Sequence, residues 1–198
     1  MKEHFIEFWF IRHGETIFNK KKLIQGWADS PLTEKGIETS KKIGKFLKNY
    51  KFTEIYSSDL KRAIDTANII NENLFLQLNI KKNFRELNTG TAEGDCIEKH
   101  LKNYPNSFNL NLYKKVEYGE DWEEVLTRMI IEINEIIKNN KNTKNTKILI
   151  VGHSLAIGAL VSYMTGDPFI RKINHLDITI FEYKASNFRF KKIFSIES

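Results

Sequence analysis

Arg12 and His13 stand side by side where an apolar run ends, in FWFIRHGETIFN (residues 8–19). Both can carry positive charge, and adjacent cations repel unless something negative lies between or before them. A second apolar run, KILIVGHS (147–154), also stops at a histidine, His153, and the block YSSDLKRAIDTA (56–67) adds Arg62. No carboxylate cluster at metal-ligand spacing accompanies the histidines, so they do not read as metal ligands. A phosphate answers the charge problem. Its two negative charges can lie among the four basic groups, and arginine grips it through a planar fork where lysine offers a point charge.

For these side chains to meet, the strands that carry them must be neighbours. FIEFWFI (5–11) and ILIVG (148–152) read as buried strands. In an open α/β sheet, ligands bind beyond the carboxyl ends of such strands. EIYSS (54–58) reads as a short strand, followed by a helix that Asp59 caps and that carries Arg62 one turn in. Thr33 caps an earlier helix running to about Tyr50, with Ile37, Ile43, Phe46, Leu47 and Tyr50 on one face. Residues 76–84 hold a further strand. Helices are expected over 120–138, from the spacing of Trp122, Val125, Met129, Ile133 and Ile136, and over 154–165. ITIFEY and FRFKKIF read as a terminal hairpin at the sheet edge. The alternation predicts a three-layer α/β/α sandwich, with a mostly parallel central sheet and an antiparallel edge, in one domain over 1–198. Residues 88–118 carry no readable period and are expected to form a lid or insertion.

Composition narrows the function classes. Hydrophobic residues make up 41% and charged residues 28%, the balance of a soluble globular protein. No apolar run nears the ~20 residues of a membrane helix. The start, MKEHFIEF, lacks the apolar core of a signal peptide, and the lone Cys96 excludes an internal disulfide, so a cytoplasmic location is expected. The net charge of +6 invites a nucleic-acid partner. The basic residues are mostly lysines scattered among asparagines, however, which reads as solvated bias, and neither a nucleic-acid nor a membrane partner is expected. The oligomeric state stays open between monomer and homodimer.

RHGET with Asn19, then QGWADSPLTEKG, YSSDLKRAIDTA and an apolar strand ending in GH resemble, in order and spacing, the histidine phosphatase superfamily, which includes the cofactor-dependent phosphoglycerate mutases and many small phosphatases. The resemblance spans residues 8 to 165. It implies a phosphoglycerate mutase-like fold and a phosphomonoesterase working through phosphohistidine on a small phosphorylated substrate, with no metal or cofactor. His13 would be the nucleophile; Arg12, Arg62, Asn19 and His153 would hold the phosphoryl oxygens; and Glu86, in FRELNTG, would be the general acid. Gln25, Gly26 and Thr16 are expected to line the pocket. The mutases carry an extra segment after the acid, with a pattern like HYG…LNK, that clamps a carboxylate. Here Glu86 is followed by LNTGTAEGDCIEKHLKNYP, which favours a phosphatase over a mutase.

Simpler readings stand beside these. Arg62 could pair with Asp59 or Asp65 on its own helix. Glu93 and Glu15 are the other acids near the motifs. His4, His100 and His175 belong to no motif and are expected at the surface; Trp9 and Trp122 are expected in the core, and Trp27 at the pocket edge. VGHSLA (151–156) also fits a nucleophile elbow with Ser154 as an esterase nucleophile. Only Asp167, Asp177 and His175 follow it as partners, and no oxyanion segment precedes it. A non-catalytic phosphate-binding member of the same fold is the remaining alternative.

Overall fold

The computed structural model describes residues 5–143, 145–175 and 177–196. In chain order the elements are β1 (Phe5–Arg12), α1 (Ile17–Lys20), α2 (Glu34–Leu47), β2 (Glu54–Ser57), α3 (Lys61–Asn71), β3 (Leu78–Ile80), α4 (Ile97–Asn103), α5 (Trp122–Asn139), β4 (Thr146–Gly152), α6 (Ser154–Thr165), β5 (Asp177–Lys184) and β6 (Asn187–Ser195). The six strands form one sheet in the order β3, β2, β4, β1, β5, β6. The first four are parallel, while β5 and β6 run antiparallel and close one edge.

The two-residue period of a strand splits the apolar runs between the two faces. Ile6, Phe8 and Phe10 of β1, with Ile148 and Ile150 of β4, face α5 and α6 and meet Val125, Met129, Ile133 and Leu160. Trp9, Ile11, Leu149 and Val151 face α2 and α3 and meet Ile43, Leu47, Ala63, Ala67 and Ile70. A run that is apolar at nearly every position therefore has a face for each residue. Full burial of each large side chain is worth roughly 1.5–3 kcal/mol relative to exposure.

Helix ends follow local chemistry where the side chains are free to cap. Thr33 accepts from Gly36 N at the start of α2, and Asp121 and Glu124 form a reciprocal capping box on α5. Asp59 does not cap α3, whose N-cap is Leu60 with no side-chain bond. Its carboxylate is instead held by the fork of Arg85, at 2.6 and 2.7 Å, a stronger charge-assisted pairing than a cap supplies. The helix expected to reach Tyr50 ends at Leu47, and its Ile37 is exposed. The strand expected over 76–84 spans only Leu78–Ile80 before a 3-10 turn at Lys82–Phe84. The unreadable segment after Thr89 contains α4 and a run of turns.

Gly158 sits in the middle of α6, where a Cβ would overlap the backbone carbonyl oxygen of Arg171. Helix propensity alone favours Gly158→Ala by roughly 0.5–1 kcal/mol. Packing opposes it, because the obstacle is backbone and cannot rotate away, and overpacking costs about 1–3 kcal/mol. The packing effect is expected to win. Urea unfolding should place the midpoint of Gly158→Ala below that of the wild type, and an unchanged or higher midpoint would show that the 171–175 loop yields.

Candidate active site

Register sets the centre of the site. Parallel pairing opposes Ile11 to Val151 and Arg12 to Gly152, and the His13 amide donates to Gly152 O at 2.9 Å. The two residues that follow, His13 and His153, therefore lie side by side, with ring centroids 5.2 Å apart at 56°. Both are buried, His153 completely, at the extended residue that begins α6. Arg62 enters from the first turn of α3, which β2 delivers to the same sheet edge. Only 1% of Arg62 is exposed, too little for the simple surface reading of a helix arginine.

Arg62 pairs with neither Asp59, which precedes its helix, nor Asp65 on it. Asp65 is held by Lys61 and Asp59 by Arg85. The Arg62 guanidinium instead donates to Gly26 O at 2.6 Å and Ala28 O at 2.8 Å and lies 3.5 Å from Asp29. This ties the 25–29 loop, with Gln25 and Gly26, to the cavity. Arg12 donates to Ile173 O at 3.1 Å. The His13 Nδ1 lies 2.8 Å from Gly14 O. A carbonyl oxygen only accepts, so Nδ1 carries the proton and Nε2 keeps its lone pair.

Glu86 is seated on the start of α6. Its carboxylate accepts from Ala156 N at 2.8 Å, Leu155 N at 3.0 Å and its neighbour Leu87 N at 3.0 Å. A helix N-terminus offers free amides and a positive dipole end, which suit a carboxylate. The other two candidate acids are engaged elsewhere: Glu93 accepts from Trp27 N and Glu15 from Thr33. Arg12, His13, Asn19, Gln25, Gly26, Arg62 and Glu86 line one cavity of about 350 Å³, together with Thr89. Thr16 and His153 do not line it, and His153 lies behind His13 with no exposed surface. Fully buried, Thr16 caps α1 and donates to Gln25 Oε1 at 3.0 Å, so it orients Gln25 from behind. Trp27 packs under Arg85, 4.4 Å from the guanidinium to the ring centroid, and donates to Glu86 O.

The electrostatics are those of a buried cationic pocket. Burial pulls the Arg12 and Arg62 guanidinium values down to about 10, and both remain charged at neutral pH. Burial, then Arg62, pushes the imidazoles of His13 and His153 well below the ordinary histidine range. The histidines are thus neutral between charged arginines. Among the described residues, several buried donors have no protein partner: Arg12 Nε, Arg62 Nε, Gln25 Nε2 and Thr89 Oγ1, and neither ring nitrogen of His153 has one. Buried polar groups in native proteins are nearly always satisfied, so donors converging on one cavity mark a place for an oxyanion.

Three supporting residues escaped the sequence reading. Arg128 on α5 places all its donors on the acid-bearing loop and its brace, at Asn83 O, Arg85 O, Glu86 O and both oxygens of Glu120, and Glu120 in turn accepts from Asn88 N. His175, expected at the surface, is partly buried with its ring 6.1 Å from that of His13, and its Nδ1 donates to His13 O at 2.7 Å. His100 is also buried, stacked on Tyr104 and 3.2 Å from Ser107 Oγ, whereas His4 lies outside the described residues. Ser154 is not a free nucleophile. Its hydroxyl donates to Ile173 O and accepts from Ile173 N. Nothing local in the sequence flags Arg128 or His175, apart from the scarcity of arginine in this lysine-rich chain.

Burial and Arg12 lower the His175 imidazole to about 4. The unfolded value is about 6.5, so as the pH falls the unfolded chain takes up protons first. The stability this group contributes is complete above about pH 6.5 and is lost as the pH falls toward 4, with a slope of up to about 1.4 kcal/mol per pH unit. His13 and His153 act in the same direction. His175→Gln is therefore expected to lose unfolding free energy less steeply than the wild type between pH 7 and pH 5, as read from urea midpoints. Equal slopes would mean that His175 is protonated in the native state.

The chain is similar to known proteins in sequence and in fold. The family model for the histidine phosphatase superfamily (branch 1) matches residues 8–195. The uncharacterized phosphatase PhoE of Bacillus subtilis is 36% identical over 159 residues, which cover 80% of this chain and 77% of the relative. The probable phosphoglycerate mutase GpmB of Yersinia pestis is 32% identical over 167 residues, covering 82% and 76%. The crystal structure of a phosphoglycerate mutase from Bacillus anthracis superposes with a TM-score of 0.84 at 28% identity, covering 98% of this chain and 93% of the other. The family match includes residues of every strand, from β1 to β6, and the chain belongs to the histidine phosphatase superfamily.

Proposed function

We propose that this protein is a phosphomonoester hydrolase that acts on a small phosphorylated metabolite through a phosphohistidine, without a metal. The observation that carries this reading is the state of His13: neutral, with Nδ1–H held by Gly14 O and Nε2 free beside two buried arginines. In the first step Nε2 attacks phosphorus, the P–O bond to the alcohol breaks, and Glu86 delivers a proton to the departing oxygen. In the second step water attacks the phosphohistidine, Glu86 takes a proton from that water, and inorganic phosphate leaves. Arg12, Arg62, Asn19 and His153 surround the oxygens as charge moves, which is most of what phosphoryl transfer requires of a protein.

Two observations favour hydrolysis over mutase chemistry, although relatives bear both names. The segment after Glu86 lacks the HYG…LNK pattern. Outside the phosphate end, Lys172 is the one charged side chain that the cavity offers a carboxylate among the described residues. An assay for interconversion of 2- and 3-phosphoglycerate, run beside the hydrolase assay, separates the two activities.

The mechanism is tested by rapid quench with nitrophenyl and alkyl phosphates, in EDTA throughout. The wild type is expected to turn over in the chelator and to form an acid-labile phosphoenzyme. His13→Ala should abolish both turnover and label. Glu86→Gln should lose far more rate on the alkyl ester, whose leaving oxygen needs the proton, than in the nitrophenol burst, and its phosphoenzyme should accumulate. Label that persists in His13→Ala, or activity that requires added Mg²⁺, would overturn the reading.

Arg62→Lys is a second check. It replaces a fork that binds two loop carbonyls and faces the phosphate by a point charge. A loss of ~10²-fold or more in kcat/KM is expected, because one charge-stabilising donor is worth on the order of 3 kcal/mol in such sites. A loss under about threefold would remove Arg62 from the reacting group's surroundings.

A further inference from the structure

Glu93 is an acid close to the site that the mechanism leaves without a task. Its carboxylate accepts from Trp27 N at 2.6 Å. The amide it grips belongs to the same peptide unit as Gly26 O, which accepts from the Arg62 guanidinium at 2.6 Å. One planar peptide is therefore held at both ends, its N–H by a carboxylate and its C=O by a guanidinium. Both bonds are charge-assisted, and each polarises the peptide in the direction that strengthens the other.

The surroundings are built for this contact. Gly26 has a φ of 50°, and a Cβ there would overlap Glu93 Oε1 and Thr89 Oγ1. Glycine lets the carboxylate come this near. The segment that carries Glu93 is laid against the residues before the loop, where Gly94 N donates to Ile24 O at 2.9 Å and Ile24 N to Asp95 O at 2.8 Å. Trp27 is fixed separately, by its indole bond to Glu86 O and its stack under Arg85. Loss of the Glu93 carboxylate would thus free the peptide without releasing the ring. Burial lowers the Arg62 guanidinium, and the charges of Glu86, Asp29 and Glu93 oppose that effect. A carboxylate set directly on the fork would occupy donors that a phosphate needs. Set one peptide away, Glu93 supports the charge while Arg62 Nε keeps no protein partner among the described residues.

We propose that Glu93 is a positioning residue for the phosphate: through the Gly26–Trp27 peptide it fixes the plane of the Arg62 fork and supports its charge, and it takes no part in proton transfer. The inference deepens the phosphatase reading above, from which it takes the place of Arg62 at the phosphoryl oxygens.

A double-mutant cycle tests it, read first as calorimetric binding of inorganic phosphate, which needs no turnover. Arg62→Ala should weaken the Kd by ~30-fold or more, as loss of one partner of a desolvated charge pair does. Glu93→Ala should weaken it by about three- to tenfold, the range that one hydrogen bond carries. Glu93→Gln keeps an acceptor for Trp27 N and should lose less than Glu93→Ala. In the Arg62→Ala background, Glu93→Ala should add less than about twofold, because the fork it serves is gone. Circular dichroism checks that each variant is folded. A merely structural role would cost the same with and without Arg62, and that result overturns the inference, as does an unchanged phosphate Kd in Glu93→Ala. Kinetics of the single variant Glu93→Gln give a second readout that does not need the Arg62 variant. Its kcat/KM should fall by the same factor on nitrophenyl and alkyl phosphates, since the phosphoryl group is common to both. A loss confined to the alkyl ester would make Glu93 the proton donor and overturn the positioning role. Coupled phosphate binding without turnover of any ester would instead support the positioning role and overturn the hydrolase reading alone.

Discussion

The site depends on the parallel register of β1 against β4. One backbone pairing, Arg12 opposite Gly152, fixes where both strands end and so brings His13 and His153 to adjacent positions above the sheet. A slip of one residue would send every side chain of β1 to the opposite face. Phe8 and Phe10 would leave the core they share with α5 and α6, and Trp9 would leave its contacts with Tyr50 and Phe52. The large aromatic residues therefore hold the register, and the register holds the histidines. Folding energy and site geometry are coupled through the same strand.

The fold also confines positive charge. Two guanidinium groups and two imidazoles are buried close together, and burial with the arginine charge pushes the imidazoles toward their neutral form. That arrangement leaves the arginines with backbone carbonyls as their main fixed partners, Gly26 O, Ala28 O and Ile173 O, rather than carboxylates. A carbonyl orients a guanidinium without cancelling its charge. The pocket stays positive and is preorganised for an anion, whereas tight carboxylate pairs would have satisfied the arginines and weakened their pull on a phosphate.

A ring of supporting residues keeps this geometry stiff. Arg128 ties the loop of Glu86 to α5, and the start of α6 holds the Glu86 carboxylate one turn from His153. The loop after α6 braces Arg12 through Ile173 O and His13 through His175. Helix α6 thus touches three parts of the site at once, and Gly158 lets the Arg171 backbone approach it closely.

The sequence by itself determined the layers and the centre. Apolar runs of five to seven residues suit strands covered on both faces, and the two that end in basic residues point to Arg12, His13 and His153. Thr33 was legible as a cap because its bond is local, three residues away. Tertiary structure alone decided what depends on distant partners. Asp59 left its capping position because Arg85 offers two charge-assisted bonds from across the chain, and Thr16 turned from the pocket to Gln25. Arg128 and His175 act on residues roughly forty and a hundred and sixty positions away, with no period or motif to mark them. The apolar part of the cavity is assembled from three non-adjacent segments joined by backbone hydrogen bonds. Backbone bonds carry no side-chain signature, so no pattern of residue types could have shown where those segments meet.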